Sequence, residues 1–194
     1  MIITVVEPAA GQAGGGGKSL LAGRLAASRA LAGRKVLLLG ANPRRDWLDQ
    51  SATHPAGALP HKLVVRAISA KGLQPELEHL INCYHDIVID TEDRDSMASR
   101  SALIAARVVI VPCGAACVGA PDGGAPCVDG ACLVRRIGKA RMFNPGLRVL
   151  VVPVCGPAAA QEQEQEMERA QTLAARIPAA ALTGIEQLYG AVFR

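Results

Sequence analysis

Seven consecutive residues carry the clearest chemistry in this chain: Ala13-Gly14-Gly15-Gly16-Gly17-Lys18-Ser19. An apolar run, Ile2 to Val6, precedes them, and an Ala/Leu-rich segment, Leu20 to Ala32, follows. Strand, glycine turn, Lys-Ser and helix is the layout of a phosphate-binding loop. Glycines let backbone N–H groups converge on phosphate oxygens with no Cβ in the way. The helix that opens next directs its partial positive charge at the same anion. The reading assigns the cradle to Gly14, Gly15, Gly16 and Gly17, with Leu20 next along the helix. Lys18 is assigned to the β- and γ-phosphates and the Ser19 hydroxyl to Mg²⁺. The standard spacing wants a further glycine five residues before Gly17, where this chain has Gln12. A glycine loop that holds nothing is the alternative. Lys-Ser at the junction of strand and helix argues against it.

The elements that must position these residues recur with a clear rhythm. Strands are expected at Ile2–Val6, Lys35–Leu39, Leu63–Ile68, Asp86–Asp90, Val108–Pro112 and Leu147–Val154. Helices are expected at Ser19–Ala32, Gln74–Tyr84, Asp95–Ala106, Ala131–Phe143 and Ala158–Arg176. Gly33 reads as a C-cap of the first helix. Alternating strands and helices predict right-handed βαβ crossovers and a mostly parallel sheet between helix layers, a three-layer α/β sandwich. Ligands of such sheets lie beyond the carboxyl ends of the strands, where the glycine loop falls.

The 194 residues suit one domain, 1–194, with a substantial core. Half of them are apolar and only 3% are aromatic, so Ala, Val, Leu and Ile must build that core. A net charge of +4 permits weak contact with nucleic acid without demanding it. No apolar run is long enough to span a bilayer. The first strand begins at once after Met1, which predicts no secretion signal, a cytoplasmic location and reduced cysteines.

With these residues in place, the chain resembles the ParA/MinD family of P-loop ATPases, and most of all its short ParA-type partition proteins. The family's deviant loop reads Lys-Gly-Gly-x-Gly-Lys-Thr/Ser, which Gly14, Gly15, Gly17, Lys18 and Ser19 match. Leu31 to Leu39 also looks like the family. Tyr84-His85-Asp86-Ile87-Val88-Ile89-Asp90-Thr91 is similar to its second acidic motif, and Val108–Pro112 to its next strand. The resemblance covers about residues 1–155. It implies a P-loop NTPase fold of the SIMIBI type, ATP and Mg²⁺ as ligands, and a homodimer. It also implies contact with non-specific DNA and with a small DNA-binding adaptor protein. Asp90 takes the role of coupling the metal, held with Ser19, to the segment Thr91 to Asp95.

The departures bear on activity. The family's signature lysine reaches a partner's phosphates, and Ala13 stands in its place. The aspartates of the second strand are replaced by Gly40 and Asn42, with Arg44 and Arg45 beyond. Phosphoryl transfer depends on charge neutralisation and a placed water, and loss of a trans-acting cation costs on the order of 10³–10⁵ in rate. The expectation is an ATP-binding switch that positions a plasmid, chromosome or other cargo, with hydrolysis slow or lost. Lys18 and Asp90 are its residual catalytic groups. The alternative is a non-catalytic nucleotide-binding scaffold that localises a secretion, pilus or cellulose-synthesis machine. A small-molecule kinase or ligase comes third, for want of a substrate-binding insertion.

Other constellations are weaker. Cys113, Cys117, Cys127 and Cys132 have intervals of three, nine and four residues, which lack the close pairs of metal sites. They lie in or beside a loop, Gly114 to Gly130. His54, His61, His79 and His85 show no ligand spacing, and His85 reads as a solvated or capping residue. Arg135, Arg136, Lys139 and Arg141 form a basic cluster on one helix, read either as a solvated face or as a salt-sensitive DNA contact. Trp47 reads equally as a core or a partner residue. Gln161 to Glu166 reads as a solvated helix face. Thr183 to Arg194 reads as a docked last helix, with too little basic charge to hold a membrane.

Overall fold

The structure is a computed structural model, and its described residues are 1–7, 17–40, 60–68, 72–92, 95–113, 130–154 and 160–194. In chain order the elements are β1 (Ile2–Val5), α1 (Lys18–Leu31), β2 (Val36–Gly40), β3 (Leu63–Ala67), α2 (Leu73–Leu80), β4 (Asp86–Asp90) and α3 (Met97–Ala105). There follow β5 (Val108–Cys113), α4 (Ala131–Phe143), β6 (Arg148–Pro153), α5 (Ala160–Arg176), β7 (Ala180–Leu182) and α6 (Leu188–Phe193). The strands form one seven-stranded sheet in the order β3-β2-β4-β1-β5-β6-β7. Every pairing is parallel. This is the expected α/β architecture.

Strand residues alternate between two helix layers, so the central strands are apolar on both faces. On one face Ile3, Val5, Leu38, Val88 and Ile110 pack against Leu21, Ala22, Leu25, Ala26 and Ala30 of α1. Those α1 positions fall on one side of a 3.6-residue helix. Leu188 and Val192 of α6 join the same cluster. On the other face Leu37, Leu39, Ile87 and Ile89 meet α2 through Leu73, Leu77 and Leu80. Val109, Val111, Val149 and Val151 meet α4 and α5 through Leu133, Ile137 and Leu173.

α1 ends as a Schellman motif. The C-cap is Ala32, one residue before the expected Gly33. Gly33 takes the left-handed turn (φ 85°), its N–H bonds Ala30 O and the Arg34 N–H bonds Arg29 O. β7 has no counterpart in the sequence reading. It is three residues long, sits at the sheet edge and pairs only with β6. Ala-Ala-Leu carries too little β-propensity to mark a strand. The Gln161–Glu166 run is less uniform than expected, because Glu166 is 3% exposed.

At the amino end of the sheet, buried Asp86 gathers cations. Arg29 Nε lies 2.7 Å from it, the Met1 ammonium 3.5 Å and Arg34 Nε 3.8 Å. The Arg29 guanidinium also stacks over the Phe193 ring at 4.0 Å and donates to the Tyr189 hydroxyl. Asp86 thereby fastens β4 to α1, and Arg29 fastens α1 to α6. Burial lowers the pKa of Arg29, but its bonds to Tyr189 and Asp86 outweigh that and leave it raised.

Removing this carboxylate strands a partly buried guanidinium. Asp86→Ala is expected to lower unfolding free energy by about 3 kcal/mol. Urea denaturation followed by circular dichroism measures it, and an unchanged midpoint would refute the staple.

Candidate functional site

The site is built where α1 begins. Gly17 caps α1 in a left-handed conformation (φ 65°), and its carbonyl accepts the Leu21 N–H at 2.7 Å. Any side chain there would be strained, and a Cβ would sit 3.5 Å from Val154 Cγ1 at the end of β6. The turn aims Lys18 and Ser19 at the carboxyl end of β4. The Lys18 ammonium is 3.6 Å from Asp90 Oδ1 and donates to the Thr91 carbonyl. Ser19 Oγ donates to Asp90 Oδ2 at 2.6 Å.

Lys18 is 0% exposed, Asp90 4% and Thr91 2%. A buried ammonium is costly unless paired and hydrogen-bonded, so the carboxylate and carbonyl beneath Lys18 are required, not incidental. Thr91 is fixed in turn: its hydroxyl donates to Val5 O at 2.9 Å and its N–H reaches the same carbonyl at 3.3 Å. Strand register completes the floor, with Asp90 opposite Val5 of β1 on one side and Gly40 of β2 on the other.

The structure thus brings together Lys18, Ser19 and Asp90. Leu20 follows them in the first turn of α1. Gly14, Gly15 and Gly16 lie outside the described residues, as do Gln12, Ala13, Asn42, Arg44, Arg45, Trp47, Cys117 and Cys127. Gly40 places no carboxylate beside Asp90. Cys113 is buried at the end of β5 and Cys132 is exposed on α4. The donor chemistry fits the expected ligands: a hydroxyl beside a carboxylate is a hard oxygen pair of the kind Mg²⁺ takes. An ammonium at a glycine-capped helix start suits phosphate. Thr91 was legible only as the end of the Asp-Thr pair, and its carbonyl is what receives Lys18. His85 Nδ1 accepts the Lys35 N–H at 2.9 Å, a structural role like the one expected.

A second polar cluster lies where the segment after Asp90 meets α3. Ser96 caps α3, exchanging hydrogen bonds with Ser99. Arg100 holds Asp95 through two hydrogen bonds of 2.9 and 2.8 Å. Arg136 reaches over from α4, its Nε 3.3 Å from Asp95 and its Nη2 donating to Ser99 Oγ at 2.8 Å. Burial lowers the Arg136 guanidinium from its ordinary value, and Asp95 opposes the shift. Arg141 donates to the carbonyls of Pro178 and Leu147. Two members of the α4 basic cluster are therefore engaged within the fold. Sequence spacing could not show the Arg136 pairing, because its carboxylate partner lies 41 residues away, just before α3.

No family model matches the sequence, and no curated protein matches it significantly. Solved structures match the fold. The apo McdA structure from Cyanthece has a TM-score of 0.57 at 14% identity, over 100% of this chain and 91% of that one. A plasmid partition protein from Borrelia burgdorferi has a TM-score of 0.56 at 16% identity, over 98% and 95%. Cobyrinic acid a,c-diamide synthase from Mycobacterium smegmatis, with bound ADP and magnesium, has a TM-score of 0.58 at 17% identity, over 88% and 80%. At these identities the likeness establishes a shared α/β fold. No helix among the described residues is long and apolar enough to cross a membrane.

The Asp95 cluster has an acid signature. Hydrogen bonding by Arg100 holds the Asp95 carboxyl below its ordinary value of 3.8, burial opposes that, and Arg136 adds attraction. A depressed folded pKa contributes stability that is complete above the unfolded value and lost as the pH falls through the folded one. Asp95 and Arg100 are both largely solvated, so water screens the contribution. Asp95→Asn is expected to remove this part of the acid limb below about pH 4 and to lower neutral stability slightly. Thermal melts across that pH range test it, and parallel curves for the two proteins would refute it.

Proposed function

We propose that residues 1–194 form a single P-loop domain acting as a ParA-like ATP-binding switch. It dimerises with ATP and positions a plasmid, chromosome or other cargo in the cytoplasm, with hydrolysis slow or lost. The observation that carries this reading is the convergence of Lys18 and Ser19 on Asp90 at the carboxyl edge of a parallel sheet. Lys18 would bind the phosphates, Ser19 and Asp90 would hold Mg²⁺, and the amides of Gly14 to Gly17 and Leu20 would line the cradle. Mg²⁺, when bound, neutralises phosphate charge. Lys18 must exchange Asp90 and the Thr91 carbonyl for phosphate oxygens. That exchange frees the end of β4, and Asp95 moors the far end of the same segment to α3 and α4. A fold shared with a nucleotide- and magnesium-bound enzyme supports the ligand class. A fold shared with a plasmid partition protein supports the cargo role.

Slow turnover follows from what is missing. Gly40 lies directly across from Asp90 and offers no group to orient a water. Ala13 has no charge to stabilise a partner's transition state. The same absence favours a second reading, the non-catalytic scaffold that localises a secretion, pilus or cellulose-synthesis machine. Of the partners, an adaptor protein is better supported than non-specific DNA, since Arg136 and Arg141 are engaged internally.

Equilibrium binding of a fluorescent ATP analogue is expected to require Mg²⁺ and to weaken about 100-fold in Lys18→Ala, the loss of two charge-assisted hydrogen bonds. Binding unaffected by that substitution would refute the site. ATP turnover by the native chain is expected to be undetectable or slow. Ala13→Lys is expected to raise it by about tenfold or more, with a dependence on protein concentration that reports a dimer. Fast native turnover would refute the slow-enzyme reading. ATP-dependent, salt-sensitive DNA retention would favour partition, and its absence the scaffold.

A further inference from the structure

α3 and α4 enclose a recess of about 320 Å³. Its polar lining is strongly one-sided: Arg100, Arg135, Arg136 and Lys139 face a single carboxylate, Asp95. Its floor and rim are apolar, made by Leu103, Ala140, Ile104 and Phe143. Phe143 is 74% exposed and neighbouring Met142 80% exposed. A monomer gains nothing from leaving Phe143 in water at the lip of a recess. Ile104 also lines a second groove, with Leu77 of α2 and Ile81 just past its end, so the apolar surface runs on past the cations.

We propose that this α3/α4 recess docks an acidic segment of a partner protein, anchored by one or two apolar side chains. Charge complementarity selects the carboxylates. Arg100 and Arg136 are already paired with Asp95, so exposed Arg135 and Lys139 are the cations that an incoming carboxylate meets. Arg135 and Lys139 extend the cationic wall toward solvent. Arg136, held at 13% side-chain exposure by Asp95 and Ser99, fixes the inner wall behind them. The apolar lip decides between polyanions. A nucleic-acid backbone presents phosphate and sugar and would leave Phe143 exposed, whereas a peptide covers it with Leu or Phe. This gives a chemistry to the partner and stands on the recess alone, whether or not Lys18 takes a nucleotide.

The test is selection of random dodecapeptides on the full chain, with and without MgATP, counter-selected on Arg135→Glu/Lys139→Glu. Enriched peptides are expected to carry several Asp or Glu with Leu or Phe among them. In fluorescence anisotropy their binding is expected to fall about tenfold or more in the double variant and several-fold in Phe143→Ser. Arg24→Glu, on exposed α1 surface of the opposite layer, is expected to bind like the native chain. Thermal melts of all variants establish that each is folded. Enrichment of peptides lacking carboxylates would overturn the proposal. So would absence of enrichment over the counter-selected variant, or a short DNA duplex that binds through Arg135 and Lys139 where no peptide does. Loss of nucleotide binding with peptide binding intact would sink the switch and leave this surface standing.

Discussion

A lysine ammonium with no solvent exposure is the constraint around which the carboxyl edge of this sheet is arranged. Lys18 is delivered there by the helix that carries it, and burial of its charge is tolerable only if anionic and carbonyl oxygens already wait beneath. Asp90 and the Thr91 carbonyl supply them. Thr91 holds its position by leaning on Val5. So β4 must lie beside β1, and the chain must cross over by way of α1 and β2 before β4 can form. The strand order places β4 between β2 and β1, as that requirement demands.

The rest of the packing keeps this arrangement rigid at one end and adjustable at the other. At the amino edge, Asp86 draws together Arg29, Arg34 and the chain's first ammonium, and Arg29 carries Phe193 with it. The two carboxylates of β4 therefore have opposite duties. Asp86 is paired with three cations at the amino edge, away from the glycine loop. Asp90 is paired with a lysine and a serine, the two groups that the proposed function assigns to a bound triphosphate and its metal. In that proposal the buried network trades one set of partners for another, which is the physical basis of a two-state element.

The end of that element is tied to a different surface. Asp95 is shared by Arg100 and Arg136, and Arg136 also bonds Ser99 in the first turn of α3. Thr4 on β1 donates to Ala102 O and fixes the middle of the same helix. Whatever moves the segment after Asp90 must pull against α3 and α4 together. Gly40 adds an asymmetry: across from Asp90 the neighbouring strand offers bare backbone and no side chain.

Local pattern was enough to read the architecture and the core of the site. The glycine run with Lys18-Ser19, the buried strand ending Asp90-Thr91 and the strand–helix alternation are contiguous signals, because strands buried on both faces are continuous apolar runs and helices repeat at 3.6 residues. Residues far apart in sequence escaped that reading. The Lys18–Thr91 and Ser19–Asp90 bonds span more than 70 positions. The Arg136–Asp95 pair, the burial of Glu166 and the edge strand β7 likewise depend on which elements become neighbours. Charge type says that an arginine can pair, but only the packing of α4 against α3 says with what. The sequence by itself determined the alternation of elements and singled out Lys18, Ser19 and Asp90, which the fold brings together. The tertiary structure alone decided which cations are spent inside the fold and which line a recess, since that is a matter of long-range contact, not local preference.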